Sequence, residues 1–349
     1  MPGILANSLA VLAALGLAGS ANGQAKPVPP PPVPASQQKS TVPQQTPPII
    51  VHPRLVSVTA TVMDRRHKFV TDLNENDFHV FEDGHPQRIT SFFRQTDLPL
   101  RIGMLLDTSN SIRERLHFEK DAAIDFLFTA IRRGKDQAFV MTFDNEPEII
   151  QDYTGDLDQL SSVIQQQNAG GGTALDDAIY MASEKLEHAP PAAGANQDVR
   201  RVLVLISDGD DNLSDHPMSD AVEMADKAGV SIYSISTNND WVTLDTPVPE
   251  KLHLTEGDKI LAQLSDETGG RVFFPYRVDD LAQSFMDIGN ELRSQYLIGY
   301  PPPYGAPDGQ YHTIEVKTDR KGLVVRARKG YYAVAPPAAP AATGSSPKP

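Results

Sequence analysis

The chain has 349 residues, and 31 Lys and Arg stand against 45 Asp and Glu, so that the formal net charge is −14. This acidity argues against a nucleic-acid partner, because binding to a phosphate backbone needs a basic surface. The sequence contains no cysteine, which excludes disulfides, thiol nucleophiles and zinc–thiolate sites. The length is more than that of one typical domain.

The chain begins with an apolar segment, Ile4 to Leu17. It is shorter than the roughly 20 apolar residues that a membrane span needs, and small residues follow it at positions 18–23. We therefore predict a signal peptide over residues 1–23 and an exported protein, which is periplasmic, secreted or on the cell surface. No Lys or Arg precedes the apolar run. An uncleaved segment is therefore the alternative, and it would be the one point of membrane contact.

Two segments have the composition of spacers. Residues 24–53 are dominated by Pro, Gln, Ser and Val, and residues 334–349 by Ala, Pro, Gly and Ser. The first is predicted to be a Pro-rich linker, either a stalk or a plain disordered connection, because it has no core of its own. The second is predicted to be a disordered tail.

The two segments next to these spacers are predicted to be β-structure. In residues 54–95, apolar residues alternate with Ser and Thr from Val56 to Val62, and Asp83-Gly84 is a turn signal. We expect the return strand over Ile89–Phe93. Residues 296–333 hold three further strand-like runs, with alternation around Ile314. The two segments are expected to pack into one β-sandwich-like module, since neither alone can bury much surface.

Residues 96–295 alternate between predicted strands and helices, which is typical of an α/β domain. We predict a doubly wound, mostly parallel sheet with helices on both faces. The predicted strands are Arg101–Leu106, Gln137–Phe143, Val202–Ile206, Ser231–Ser236 and Gly270–Phe274, with a hairpin extension at Glu148–Gln151. The predicted helices include Leu157–Gln165, Ser219–Ala228, Lys259–Thr268 and Leu281–Arg293, together with one after the first strand and one after residue 174.

The first strand of this domain ends in a group of oxygen-bearing side chains. The apolar run up to Leu106 is followed by Asp107, Ser109 and Ser111. In open α/β sheets, ligands bind outside the carboxyl ends of the strands, and one carboxylate with two hydroxyls is a ligand set that suits Mg²⁺. An alternative is purely structural, because Ser111 and Glu114 also have capping-box spacing.

Two later stretches complete a known pattern. Gly170-Gly171-Gly172-Thr173 is a flexible loop before a helix, and a second apolar strand ends at Asp208. The sequence resembles the von Willebrand factor A domain with its metal-ion-dependent adhesion site, and more weakly the bacterial class of related proteins. The resemblance implies that the metal ligands are Asp107, Ser109, Ser111, Thr173 and Asp208. Thr173 as a helix N-cap and Asp208 as a turn residue remain the structural alternatives.

The resemblance also implies a function. The metal would be Mg²⁺, or else Mn²⁺ or Ca²⁺, and an acidic group of a partner protein or peptide would complete its coordination. The chain would then be a binding module and not an enzyme. The alternatives are a structural component of an exported or surface assembly with a silent metal site, and a metal-dependent hydrolase. The sequence has no phosphate-binding loop with its Lys, no His-Glu-x-x-His and no nucleophile elbow.

Some acidic and loop residues have an open assignment. Asp210, Asp211 and Asp144 either attract cations to the site or are solvated loop acids. The segment 238–258 contains the single Trp of the chain, Trp241, and breaks the strand–helix rhythm. Long loops of this kind are usually functional or disordered, so this one either contributes to partner recognition or covers the fold.

Overall fold

The computed structural model describes residues 55–94, 98–192, 199–238, 253–303 and 308–333. All of these belong to one compact unit, His52–Pro349. The predicted signal peptide over 1–23, the linker over 24–53 and the tail over 334–349 lie outside the described residues, as does most of the segment 238–258. Within the described part of the chain, no helix is long and apolar enough to cross a membrane.

Strands and helices follow the chain in the order that the sequence patterns predict. The strands are β1 (Val56–Asp64), β2 (Phe78–Glu82), β3 (His85–Gln87), β4 (Ser91–Arg94), β5 (Leu100–Asp107), β6 (Gln137–Phe143), β7 (Pro147–Thr154), β8 (Arg200–Ser207), β9 (Val230–Ser236), β10 (Val272–Phe273), β11 (Tyr296–Tyr300), β12 (Tyr311–Thr318), β13 (Leu323–Ala327) and β14 (Gly330–Tyr332). The helices are α1 (Leu116–Ala130), α2 (Leu157–Gln165), α3 (Leu175–Glu187), α4 (Met218–Ala228), α5 (Glu256–Glu267) and α6 (Val278–Leu292).

A six-stranded sheet with the order β10-β9-β8-β5-β6-β7 forms the α/β part. Its strands are parallel except for β7, which runs antiparallel to β6. Every residue of β5 is buried, because helices cover both faces: α1, α2 and α6 pack on one face, and α3, α4 and α5 on the other. The predicted fold class, a doubly wound and mostly parallel sheet, is confirmed.

Two four-stranded antiparallel sheets form the β module, with the orders β13-β1-β11-β4 and β14-β12-β2-β3. Each sheet combines strands from both ends of the chain, since β1 pairs with β11 and β13 and β2 pairs with β12. The two sheets enclose a separate apolar core that includes Val58, Phe78 and Ile298. The predicted flanking β module is therefore present.

The hairpin after β2 differs from the prediction in its return strand. Asp83 and Gly84 both have positive φ, 49° and 77°, which is the conformation of a tight two-residue turn. The return strand is therefore β3, which follows the turn at once. The segment predicted to return, Ile89–Phe93, overlaps β4 instead, and β4 pairs with β11 in the other sheet.

A buried polar network lies where the α/β part meets the β module. Glu291, at the end of α6, is fully buried. Its Oε1 accepts hydrogen bonds from Thr61 Oγ1 of β1 (3.1 Å) and from the Tyr233 hydroxyl of β9 (2.8 Å). Arg326 of β13 forms an ion pair with the same carboxylate. These contacts fix the end of α6 against both parts of the molecule.

Candidate metal centre

The carboxyl ends of β5 and β8 form the candidate site. Asp107 is the last residue of β5, and Asp208 follows Ser207, the last residue of β8. Because β5 and β8 are adjacent parallel strands, both carboxylates emerge at the same edge of the sheet. Asp107 is fully buried and Asp208 is 5% exposed, whereas Ser111 is exposed.

Hydrogen bonds connect four of the five predicted ligand residues. Ser207 Oγ donates to Asp107 Oδ2 (2.8 Å), and the Ser109 backbone N–H donates to Asp107 Oδ1 (2.8 Å). The hydroxyl oxygens of Ser109 and Ser111 are 2.9 Å apart, and Ser111 Oγ donates to Asp208 Oδ2 (2.6 Å). Ser111 lies in a short 3₁₀ turn, whereas α1 begins later, after Arg115 as its N-cap. The Ser111 side chain therefore faces the site and does not cap α1.

Thr173 belongs to the loop before α3, which the backbone ties to the other two loops. The Gly170 N–H donates to the Thr108 carbonyl (2.8 Å). The Thr173 N–H donates to Asn212 Oδ1 (3.1 Å), and the Thr173 carbonyl accepts from the Asn212 N–H (3.0 Å). Thr173 is 3% exposed, and the N-cap of α3 is Ala174. The loop thus lies between the segments that carry Asp107 and Asp208, and Thr173 is not a helix cap.

Burial and neighbouring negative charges disfavour the ionised form of the acidic groups at this edge. Burial, together with the charge of Asp208, raises the pKa of Asp107 to about 6. Glu119 of α1 is fully buried, and neither of its carboxylate oxygens has a hydrogen-bond partner among the described residues. Burial raises the pKa of Glu119 well above its ordinary value, the charge of Asp107 adds to this, and the charge of Arg115 opposes it. A bound cation would relieve this concentration of negative charge.

Sequence reasoning did not identify Glu119. The signal was present, because Leu116, Glu119 and Ala123 have the spacing of one helical face, and all three are buried. Helical spacing assigns position 119 to the core, and a charged residue at a core position is a signal that would have identified Glu119.

Three loop residues next to the candidate ligands, Asp211, Asp210 and Asn145, differ in what they contact. Asp211 Oδ2 accepts a hydrogen bond from the Asp176 N–H (2.9 Å) and so supports the start of α3. Burial and the charge of Asp208 raise the pKa of Asp210. Asn145, which no sequence pattern indicated, accepts a hydrogen bond from the Gly172 N–H through its Oδ1 (2.9 Å). It therefore joins the end of β6 to the loop that carries Thr173.

Comparison with known proteins agrees with this architecture. Residues 102–210 match the family model described as von Willebrand factor type A domain. This segment contains the residues of the candidate site, and the match agrees with the sequence resemblance. No curated protein matches the chain.

Similar folds occur in solved structures of low sequence identity. A von Willebrand factor type A structure from Catenulispora acidiphila is 14% identical, with a TM-score of 0.46, and the match covers 74% of this chain and 75% of that one. The PilB minor pilin from Streptococcus sanguinis is 12% identical (TM-score 0.42; 56% and 62% covered). Proximal thread matrix protein 1 from the mussel byssus, solved with a zinc-occupied MIDAS motif, is 16% identical (TM-score 0.43; 60% and 49% covered).

Proposed function

We propose that this protein is a metal-dependent binding module. Asp107, Ser109, Ser111, Thr173 and Asp208 would hold a divalent cation, Mg²⁺ or alternatively Mn²⁺ or Ca²⁺, and the cation would bind an acidic side chain of a partner protein. The main support is the run of hydrogen bonds at one sheet edge, which leads from Asp107 through Ser109 and Ser111 to Asp208. The predicted signal peptide supports export of the module from the cell.

The donor set fits such an ion. All five residues offer oxygen, which hard divalent cations prefer. Only two of the five ligands are carboxylates and the three hydroxyls are neutral, so that the cation keeps little charge compensation and can attract an outside carboxylate to a vacant coordination position. The buried Glu119 carboxyl interacts with Asp107 and Asp208, and a bound cation would favour its ionised form. Hydrolysis would also need a general base directed at a substrate. The five side chains named here are assigned to the metal, so that none of them is left to act as that base.

Calorimetric titration of Mg²⁺ and Mn²⁺ into the full chain tests the metal site. We expect one saturable site that Asp107→Ala and Thr173→Ala both remove. Asp152→Ala is the matched control, because it deletes one carboxylate from the edge strand β7, where Asp152 pairs with Lys185 (2.8 Å). Metal binding at full strength by the Asp107→Ala chain would contradict the assignment.

A second experiment separates a binding module from a silent structural site. The immobilised full chain is probed with a peptide library in which one position is Asp, Glu, Asn or Gln. We expect peptides with Asp or Glu to be retained in Mg²⁺, and to be released by EDTA and by the Thr173→Ala substitution. Retention that does not depend on the metal, or on the acidic position, would favour a scaffold role.

A further inference from the structure

A second cluster of ligand-type side chains lies in the β module, away from the carboxyl edge of the six-stranded sheet. Glu82 is the last residue of β2, Asp83 begins the turn to β3, and His312 is the second residue of β12. One ligand atom from each of these side chains lies within 4.8 Å of the others. The three residues come from both ends of the chain and meet only through strand pairing.

The backbone of the module fixes their positions. Ile314 of β12 is directly opposite Glu82 of β2, and the Asp83 N–H donates to the Thr313 carbonyl (3.0 Å). Phe78, Val80 and Glu82 alternate along β2 and are all buried, as the period of two in a strand requires. The same period buries His312 with Ile314 on β12. Both Glu82 and His312 therefore point into the interior of the module.

The buried Glu82 carboxylate is incompletely hydrogen-bonded. Glu82 is 1% exposed. Its Oε1 accepts a hydrogen bond from the Tyr331 hydroxyl (3.3 Å), whereas Oε2 has no hydrogen-bond partner in the part of the chain that the structure describes. The Nδ1 atom of His312 is 3.8 Å from Oε1. The Tyr300 hydroxyl also interacts with this carboxylate. Because a buried carboxylate with incomplete hydrogen bonding is costly, a cation beside Glu82 would stabilise it.

Asp83 and His312 are both held in the orientation that such a ligand needs. Asp83 Oδ1 accepts hydrogen bonds from the Thr313 N–H (2.9 Å) and Oγ1 (3.1 Å), and Asp83 Oδ2 lies 2.8 Å from His312 Nδ1. On the other side of the ring, His312 Nε2 lies 3.2 Å from Asp308 Oδ1. A carboxylate on the outer ring nitrogen is the usual partner of a metal-binding histidine, because it orients the ring and fixes its tautomer.

We propose that Glu82, Asp83 and His312 form a second divalent-metal site, which takes Zn²⁺ or a similar first-row ion, and that Asp308 is the positioning residue of His312. Two carboxylates balance the charge of the dication, and imidazole nitrogen favours zinc over magnesium. The Asp83 side chain is 33% exposed, which gives the ion an entry path and an outward coordination position. A metal here would tie the β2–β3 turn to β12.

Titration of ZnCl₂ into the full chain carrying Asp107→Ala tests this proposal independently of the proposed function, because that substitution disables the other candidate site. We expect one saturable Zn²⁺ site, which Asp83→Asn and His312→Gln each remove. Asn tolerates the positive φ of position 83, so that the turn should persist in the first variant. Asp308→Asn should weaken Zn²⁺ binding by about 10- to 100-fold, as is usual for an outer partner.

His79→Gln is the matched control. His79 Nε2 lies 2.7 Å from Asp319 Oδ2, but both side chains are largely exposed, and the pair lies on the same sheet as His312. This variant should keep full Zn²⁺ affinity. If His312 is only an imidazolium ion paired with Asp83 and Asp308, the Asp107→Ala chain will show no saturable Zn²⁺ site, and the proposal is wrong. Unchanged affinity in the folded Asp83→Asn variant would overturn it as well.

Discussion

The two candidate metal sites differ in the types of side chain that would bind the ion. At the carboxyl edge of the six-stranded sheet, hydrogen bonds connect Asp107, Ser109, Ser111 and Asp208, and the loop that carries Thr173 is bonded to the loop after Asp208. In the β module, two carboxylates from one hairpin face the imidazole of His312. The first set contains neutral hydroxyls, and the second contains a nitrogen donor. The ligand types therefore predict a magnesium-like ion for the first site and a zinc-like ion for the second.

The two sites differ because parallel and antiparallel strands bring different residues together. A parallel sheet collects the ends of several strands at one edge, so that residues far apart in sequence can supply short side chains such as Ser109 and Thr173. An antiparallel pair instead brings together residues of the same face, and Glu82 and His312 meet as diagonal neighbours, since Ile314 is the residue directly opposite Glu82. A ligand set can thus be identified from the strand order before any ion is known.

The largest expected effect is a double dissociation of the two sites. Asp208→Ala should abolish Mg²⁺ binding and leave the Zn²⁺ affinity of the β module intact. Glu82→Gln should leave Mg²⁺ affinity intact and, when combined with Asp107→Ala, abolish Zn²⁺ binding. Each loss should exceed the about 100-fold that an outer partner can cost, because a charged ligand is removed. Titrations of both metals into both variants provide the measurement. If either variant lost both metals, the two sites would not be independent.

A smaller effect is expected from Gly257→Ala, which changes no ligand. Gly257 lies in the first turn of α5, and a Cβ atom there would overlap the backbone carbonyl of Asp208. The loop that carries Asp208 must shift, so that Mg²⁺ affinity should fall by about tenfold, the lower range for an outer partner. Gly289→Ala in α6 is the matched control, since no atom lies within 4 Å of its added Cβ. Equal Mg²⁺ affinities in the two variants would contradict the prediction.

Asp226 of α4 is a buried acid outside both candidate sites and tests whether a buried acid alone makes a metal site. It is 4% exposed, and burial raises its pKa to about 7. Since its folded-state pKa lies above its unfolded value, its contribution to stability is present at low pH and is lost as the pH rises from about 4 to 7. Asp226→Asn should therefore stabilise the chain at pH 8 by about 1–3 kcal/mol, and much less at pH 5.

Urea denaturation of wild type and Asp226→Asn at the two pH values measures this difference. Both variants should bind Mg²⁺ and Zn²⁺ equally. Reduced metal affinity in Asp226→Asn would show that Asp226 also contributes to metal binding.

The smallest effect, no change at all, is expected from native trypsin digestion. We propose that residues 54–95 and 296–333 form one module around the inserted domain over 96–295. Strand β1 pairs with β11 and β13, so that a nick between the parts should not release residues 54–94. Size-exclusion chromatography of the digest checks this. A free peptide from this range, with the remainder folded, would refute the arrangement.

The sequence predicted those features that depend on local pattern. The apolar run ending at Asp107 predicted β5, and Asp83-Gly84 predicted the turn, because both are encoded within a few residues. The incompletely hydrogen-bonded Glu82 and the buried Glu119 could not be predicted in this way. Their surroundings are set by long-range packing, although strand and helix periods do assign both residues to inward positions.

The insertion of one fold within another has a consequence for biosynthesis. Thr61 and its partner Glu291 are 230 residues apart, which corresponds to roughly 10–50 s of translation at about 5–20 residues per second. The six-stranded sheet is complete at β10, before β11 is made. Until then β1 lacks both of its partner strands and β2 lacks β12, and we expect these first strands to depend on chaperones more than the central domain does.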